Sequence, residues 1–144
     1  MLGRKEIRMK YLATFFTLIF CLAFSPGGAC GEEKRFVAQA DKEGIQRIEV
    51  LATEYSFAPN YIVVKVNLPV EIKIGKEPSI VPHNFVLKAP EAGIDILESL
   101  STEPKVIKFT PAKPGKYPFY CDKKLLFFKS HRDRGMEGIL EVTE

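Results

Sequence analysis

The amino-acid sequence predicts an all-β domain, a β-sandwich of the Greek-key kind. From Ile45 onward the chain consists of short runs rich in β-branched residues, and Pro, Gly and Asn separate these runs. The runs recur at regular spacing over about 100 residues, which is the pattern and the size of one sandwich domain. Its ordinary hydrophobic and charged fractions, 46% and 27%, indicate a globular protein.

The individual strands are predicted from apolar residues that alternate or run together. A first strand is expected at residues 45–52, and residues 61–66 form a second, β-branched run. Apolar and polar side chains alternate over residues 70–75, which indicates a strand buried on one face. Further strands are predicted at residues 85–88, 106–110, 115–120 and 138–142. Residues 92–100 are the one stretch in which a short helix is expected.

The N-terminus has the pattern of an export signal. Four basic residues precede an unbroken apolar run at residues 11–24, and residues 25–29 are small residues or Pro. This arrangement predicts a cleaved signal peptide over residues 1–30, too short to be a good membrane span. Cleavage after Ala29 is expected, with lipid attachment at Cys30 as the alternative. Export predicts a periplasmic or cell-surface protein.

Residues 31–44 are polar, mixed in charge and without an apolar period, so a flexible leader is expected before a domain at residues 45–144. The signal region holds four basic residues and one acidic residue, which accounts for the whole formal net charge of +3. The rest of the chain is therefore neutral, and the basic balance is no indication of nucleic-acid binding.

The cysteines leave one thiol to explain. Of the three, Cys21 lies within the signal and Cys30 at its boundary, so only Cys121 lies in the predicted domain. A disulfide inside the domain is excluded. An unpaired thiol in an oxidising compartment is a liability unless it is buried or bound to something.

A set of metal-ligating residues offers that explanation. The chain has two histidines, His83 and His131, and Met136 is its only methionine beyond the signal region. Together with Cys121 they supply a thiolate, two imidazoles and a thioether, the ligand set of a blue-copper site. Each residue alone has an ordinary structural interpretation, but all four occur together here. Zinc is the alternative metal, and it is disfavoured because it gains little from a thioether.

Four segments resemble those of the cupredoxins, the type 1 blue copper proteins. They are Val-Pro-His-Asn-Phe at residues 81–85, Gly-Lys-Tyr-Pro-Phe-Tyr-Cys at 115–121, Gly-Met-Glu-Gly at 135–138, and Tyr-Ser-Phe-Ala-Pro-Asn at 55–60. The resemblance covers residues 45–142. It implies one type 1 copper ion per chain, held by His83, Cys121, His131 and an axial Met136. It also implies electron transfer, with Cys121 as the electronic link and an exposed His131 as the exit edge.

The family resemblance also implies a role for Asn84, whose amide is expected to hydrogen-bond backbone near Cys121 and tie the two ligand loops together. The alternative is an ordinary turn residue. One departure from the family pattern is the nine residues between Cys121 and His131, more than small electron-transfer cupredoxins have. A similarly long loop occurs in the type 1 domain of copper nitrite reductases, so a copper site remains feasible.

The long loop contains an apolar run of four residues, Leu125, Leu126, Phe127 and Phe128, with Lys123 and Lys124 before it. Either the run folds back into the core, or it forms a docking patch whose cationic rim attracts an acidic redox partner. Both interpretations stay open at this point.

Three classes of function remain to be compared. A copper enzyme is not expected, because a catalytic copper would need histidines beyond the two already used. Nothing around Cys121 suggests a Cys–His hydrolase. Electron transfer is favoured over copper delivery or storage, because delivery sites tend to be rich in Met or His.

Overall fold

The computed structural model describes residues 33–124 and 126–144. The predicted signal peptide and Leu125 lie outside these residues. The described residues form one compact unit. None of the helices in the described ranges is long and apolar enough to cross a membrane.

Nearly all regular secondary structure in the described residues is β-strand. Their bounds are β1 Arg35–Val37, β2 Gln46–Ala52, β3 Phe57–Ala58, β4 Tyr61–Lys65, β5 Val70–Lys76, β6 His83–Ala89, β7 Ile94–Leu100, β8 Lys105–Phe109, β9 Gly115–Tyr120 and β10 Glu137–Thr143. Two single-turn 3₁₀ helices, Pro90–Ala92 and Arg132–Arg134, complete the regular structure. The seven strands expected from the sequence all appear, with small differences at their ends.

The strands form two sheets that face one another. The larger has the order β1-β4-β10-β9-β6-β7 and the smaller the order β3-β2-β5-β8. Consecutive strands β4, β5 and β6 alternate between the sheets, so their connections cross from one sheet to the other. The prediction of an all-β Greek-key sandwich is confirmed.

In strands such as β2 and β10, every second side chain is buried in the space between the two sheets. In β2 every second residue from Gln46 to Ala52 is buried, and the intervening ones are exposed. Strand β10 follows the same rule, with Gly138, Leu140 and Val142 buried. Because successive side chains of a strand point to opposite faces, this alternation places one apolar face of each sheet in the core.

Three phenylalanines pack together at one end of the core. The ring centroids of Phe85 and Phe119 lie 5.1 Å apart, and Phe57 contacts both at 5.7 and 5.4 Å. Phe85 is two residues after His83 and Phe119 is two residues before Cys121, so each phenylalanine is on the same face of its strand as that ligand candidate. The three rings therefore fix the strand ends that carry His83 and Cys121.

The flexible leader predicted over residues 31–44 was wrong for its described part. Residues Arg35–Val37 form β1, which pairs in parallel with β4, and Asp41 Oδ1 accepts hydrogen bonds from the N–H groups of Glu43 and Ile45. All three β1 side chains are exposed. The strand is held by backbone pairing, so it leaves no apolar period to find in the sequence.

The short helix expected at residues 92–100 was also wrong. Ile94–Leu100 is instead β7, the edge strand beside β6. Ile94, Ile96 and Leu100 are buried while Asp95 and Leu97 are exposed, which is the period of a strand. The two-residue strand β3 was not expected as a strand at all.

Candidate metal centre

His83 and Cys121 meet because the strands that carry them are antiparallel neighbours. His83 begins β6, and Cys121 directly follows the end of β9. These strands pair through Val86 with Tyr120 and Leu87 with Phe119. The start of β6 and the end of β9 consequently lie at the same end of the larger sheet.

The segment between β9 and β10 brings His131 and Met136 to this end of the sheet. The His131 N–H donates to the Lys123 carbonyl at 2.9 Å, and the Met136 N–H donates to the His131 carbonyl at 2.9 Å. The Cys121 N–H then donates to the Met136 carbonyl at 3.0 Å. This chain of backbone hydrogen bonds closes the long loop and places His131 and Met136 beside Cys121.

Three donor atoms converge to a small triangle. The two Nδ1 atoms of His83 and His131 are 3.2 Å apart, and Cys121 Sγ is 3.4 Å from that of His131 and 4.0 Å from that of His83. A point in their plane lies about 2.1 Å from all three atoms, close to the lengths of metal–nitrogen and metal–thiolate bonds. The three atoms therefore fit around one metal ion.

The chemistry of the donor set fits copper. His83, Cys121, His131 and Met136 are all buried. A thiolate and two imidazoles around one point, with a thioether residue beside them, form the donor set of blue-copper sites. The structure thus positions these four residues for a type 1 copper site.

Comparison with known proteins agrees with this geometry. The family model described as a cupredoxin-like domain matches residues 14–135. The chain belongs to the cupredoxin-like family. The match ends one residue before Met136, so the placement of that residue rests on the structure. No match was found among the curated proteins.

Several solved structures are similar to this cupredoxin. The metal-binding domain of the Streptococcus pneumoniae D39 Cu(I)-exporting P-type ATPase CopA is 28% identical, with a TM-score of 0.58; the match covers 79% of this chain and 100% of that one. A copper-binding protein in its apo form is 25% identical, with coverages of 78% and 100% and a TM-score of 0.57. Auracyanin B shares the fold at 20% identity, with coverages of 74% and 94% and a TM-score of 0.52.

The Cys121 thiol is held by backbone donors. The Asn84 N–H donates to Cys121 Sγ at 3.4 Å. Burial raises the pKa of the Cys121 thiol, while hydrogen bonds from the backbone of Asn84 and Lys123 act in the opposite direction. A metal ion that binds here must displace the thiol proton, so these donors favour the thiolate that the metal requires.

Asn84 ties the strand of His83 to the chain beside Cys121. Its Oδ1 accepts a hydrogen bond from the Asp122 N–H at 3.0 Å, and its Nδ2 donates to Asp122 Oδ1 at 2.7 Å. The hydrogen bond expected between the Asn84 amide and this backbone is therefore present.

The pKa values of both histidines are lowered from the ordinary value. Burial, followed by the charges of His131 and Lys76, lowers the pKa of His83 to about 4. Burial and Arg134 lower the pKa of His131. A neutral imidazole has the free lone pair that a metal ligand needs, so the metal-free site is ready to bind near neutral pH.

The expectation of an exposed His131 was wrong. Its side chain is only 4% exposed. The Tyr55 ring stands edge-on to it, with centroids 5.3 Å apart and an interplanar angle of 85°. Tyr55 belongs to a segment singled out in the sequence, but no sequence pattern links it to a histidine 76 residues later.

The described part of the apolar run points away from the core. Leu126, Phe127 and Phe128 are 75%, 100% and 57% exposed, and Leu125 lies outside the described residues. Lys124 is exposed and Lys123 half-buried. For these three residues the core-filling interpretation was wrong.

Proposed function

We propose that this cupredoxin binds one type 1 copper ion through His83, Cys121, His131 and Met136 and passes electrons between redox proteins in the periplasm or at the cell surface. The observation that carries the proposal is the triangle of buried Sγ and Nδ1 atoms. Bound copper supplies one-electron chemistry between Cu(I) and Cu(II).

The protein's own part is to hold the donors in place. The phenylalanine cluster and the Asn84–Asp122 pair support the strand ends on one side, and the backbone bonds of the loop fix the other side. Ligands that are held rigidly move little when the metal changes its charge. Burial also keeps water from the donors, which favours electron transfer over metal-centred reactions with solvent.

The exposed apolar loop supports a role in docking. None of Lys123, Lys124, Lys129 and Arg134 forms an ion pair with a described residue. Exposed apolar side chains within a cationic rim fit a partner whose docking face is apolar and acidic. No catalytic activity is part of the proposal, since both histidines of the chain are in the copper site.

Copper delivery or storage is the second candidate function. It is favoured by the similarity to the CopA domain, crystallised with Cu(I), which at 28% identity exceeds the 20% identity to auracyanin B. The long loop from Cys121 to His131 is a further difference from small electron carriers.

The two functions make different demands on the reduced site. The copper-loaded protein is reduced and re-oxidised repeatedly while a Cu(I)-specific chelator is present in excess. Electron transfer predicts that the copper stays bound over many cycles at a steady potential. Rapid loss of Cu(I) to the chelator, with slow or irreversible re-oxidation, would contradict electron transfer and favour delivery.

A further inference from the structure

The buried His131 is connected to the surface by a stack of two side chains. The Tyr55 and His131 rings meet in a T-shaped contact with centroids 5.3 Å apart, and the guanidinium of Arg134 lies over the Tyr55 ring, 4.7 Å from its centroid. Tyr55 is half-buried and Arg134 is exposed. Within the described residues, this stack is a direct line of contact from a candidate copper ligand to solvent.

A small surface cleft opens beside the stack. Its lining residues are Tyr55, Val81, Phe128, Lys129, His131 and Arg134. The nearby carboxylate of Asp133 is engaged by Ser130, through its N–H at 3.1 Å and its hydroxyl at 2.7 Å. The cleft therefore has apolar walls and a positive edge, and the Asp133 carboxylate, which also attracts Lys129, offsets part of that charge. Arg134 forms no ion pair in the described ranges.

We propose that Tyr55 is the electronic contact between His131 and a partner redox protein, and that Arg134 binds an acidic side chain of that partner over the cleft. This inference rests on the proposed electron-transfer function. A group that makes contact both with a ligand ring and with the docking cleft shortens the gap across which the electron moves. An Arg that is exposed and unpaired suits a carboxylate, which it binds in a bidentate manner.

The step is a one-electron transfer with no bond made or broken. The Cu(I) form of the site loses one electron and becomes Cu(II), and a one-electron acceptor carried by the partner gains it. Tyr55 is not itself oxidised and no proton moves. The aromatic ring is therefore required, whereas the Tyr55 hydroxyl is not.

Two small oxidants of opposite charge distinguish the electronic role of Tyr55 from the electrostatic role of Arg134. The Cu(I) form of the protein is mixed rapidly with anionic hexacyanoferrate(III) or with cationic tris(phenanthroline)cobalt(III). Tyr55→Leu is expected to slow both reactions by a similar factor, and Tyr55→Phe to keep the wild-type rates. Arg134→Gln is expected to slow only the anionic oxidant, by about tenfold at low salt, because it removes a steering charge.

The chain offers a matched control stack elsewhere. Arg35 lies over the Tyr61 ring at 4.6 Å, Lys116 lies 5.7 Å from the ring centroid, and the Tyr61 hydroxyl donates to Glu141. This stack includes none of the four candidate ligands. Tyr61→Leu and Arg35→Gln should leave both rates unchanged. Equal slowing by the control variants would overturn the assignment to Tyr55 and Arg134.

A binding measurement tests the cleft without any electron transfer. Redox-inert, paramagnetic hexacyanochromate(III) is added to the Cu(I) protein and NMR line widths are followed. The Tyr55 and His131 ring signals should broaden first, and Arg134→Gln should abolish the effect. Broadening of signals centred elsewhere on the protein would overturn the assignment of the docking cleft. This test uses the wild-type protein, so it holds even if Tyr55→Leu does not fold.

The remaining outcomes separate the inference from the proposed function. Suppose that the wild-type site is reduced and re-oxidised reversibly, and that Tyr55→Leu has the wild-type copper spectrum and exchanges electrons at the wild-type rate. The inference about Tyr55 then fails, and the electron-transfer proposal stands. If the wild-type protein shows no reversible reduction, the proposed function fails and the inference fails with it.

Discussion

Asn84 and Asp122 exchange two hydrogen bonds, one from the Asp122 N–H to Asn84 Oδ1 at 3.0 Å and one from Asn84 Nδ2 to Asp122 Oδ1 at 2.7 Å. The same Asn84 donates its backbone N–H to Cys121 Sγ. One residue thus connects the strand of His83, the thiol and the chain that follows the thiol, so the geometry of the site depends on it.

Asn84→Ala is expected to destabilise the metal-free protein by about 1–3 kcal/mol, because it leaves the Asp122 N–H without its partner. It should also lower the affinity for copper by about tenfold or more, as loss of groups that orient ligands does. Urea denaturation and copper competition measure the two effects. Asp122→Ala keeps the bond from the backbone N–H of residue 122 but leaves the buried Asn84 Nδ2 without its acceptor, so it should also destabilise the protein. Wild-type stability of Asn84→Ala would contradict the claim that the hydrogen bonds between Asn84 and Asp122 stabilise the domain.

The stability of the metal-free protein should fall as the pH is lowered from about 6.5 to 4. Burial lowers the pKa of His83 to about 4, whereas a histidine of the unfolded chain titrates near 6.5. In this window the unfolded state binds a proton that the folded state does not. The contribution of His83 to the free energy of unfolding is therefore fully present above pH 6.5 and declines by about 3 kcal/mol as the pH falls to about 4. The lowered pKa of His131 acts in the same direction.

Urea denaturation at pH 7 and pH 4.5 measures this decline. His83→Gln, which cannot titrate, should show a flatter dependence, and an equally steep one would contradict the assignment to His83. The sign reverses for Cys121, whose pKa burial raises. Its contribution is complete below the unfolded value of about 8.5 and is lost as the pH rises above it.

Charge reversal of Lys123 and Lys124 to Glu is expected to slow electron exchange with an acidic partner protein by about tenfold at low salt, because it removes steering charges beside the site. The copper spectrum should not change. Stopped-flow rates over a range of ionic strength provide the measurement. Reversal of Lys42 and Lys113, which precede the starts of β2 and β9 at the opposite end of the sandwich, is the control for net charge. A changed spectrum would mean that Lys123 and Lys124 shape the site.

Phe127→Ala is expected to change the free energy of unfolding by less than about 0.5 kcal/mol, because its ring is fully exposed. Phe119→Ala, which removes a fully buried ring of the phenylalanine cluster, should cost about 3–5 kcal/mol. Urea denaturation of the two variants compares the same substitution at the two positions. A large loss from Phe127→Ala would show that the loop packs against the domain in solution.

The sequence was informative where burial and ligand chemistry leave a local pattern. Strands β2 and β5 bury alternate residues, and their periodicity predicted them. The ligand candidates stand out because His and Cys are scarce in this chain. Strand β1 was missed because its side chains are exposed, and a short helix was expected where β7 lies, although its buried residues alternate as in a strand.

The surroundings of His131 could not be predicted in the same way. Tyr55 and His131 are 76 residues apart, and their contact depends on how β3 and the long loop pack in three dimensions. Burial of His131 likewise follows from tertiary packing, since its neighbours in the sequence, Ser130 and Arg132, are polar. The choice between a buried and an exposed Leu126–Phe128 run also needed the structure.

The most direct test of the central claim is the visible absorption and EPR spectrum of residues 31–144 with added Cu(II), beside that of Cys121→Ala. We predict an intense sulfur-to-copper band, one copper ion per chain, and loss of the band in the variant. A colourless protein with an ordinary Cu(II) EPR signal, unchanged by Cys121→Ala, would contradict a type 1 copper site.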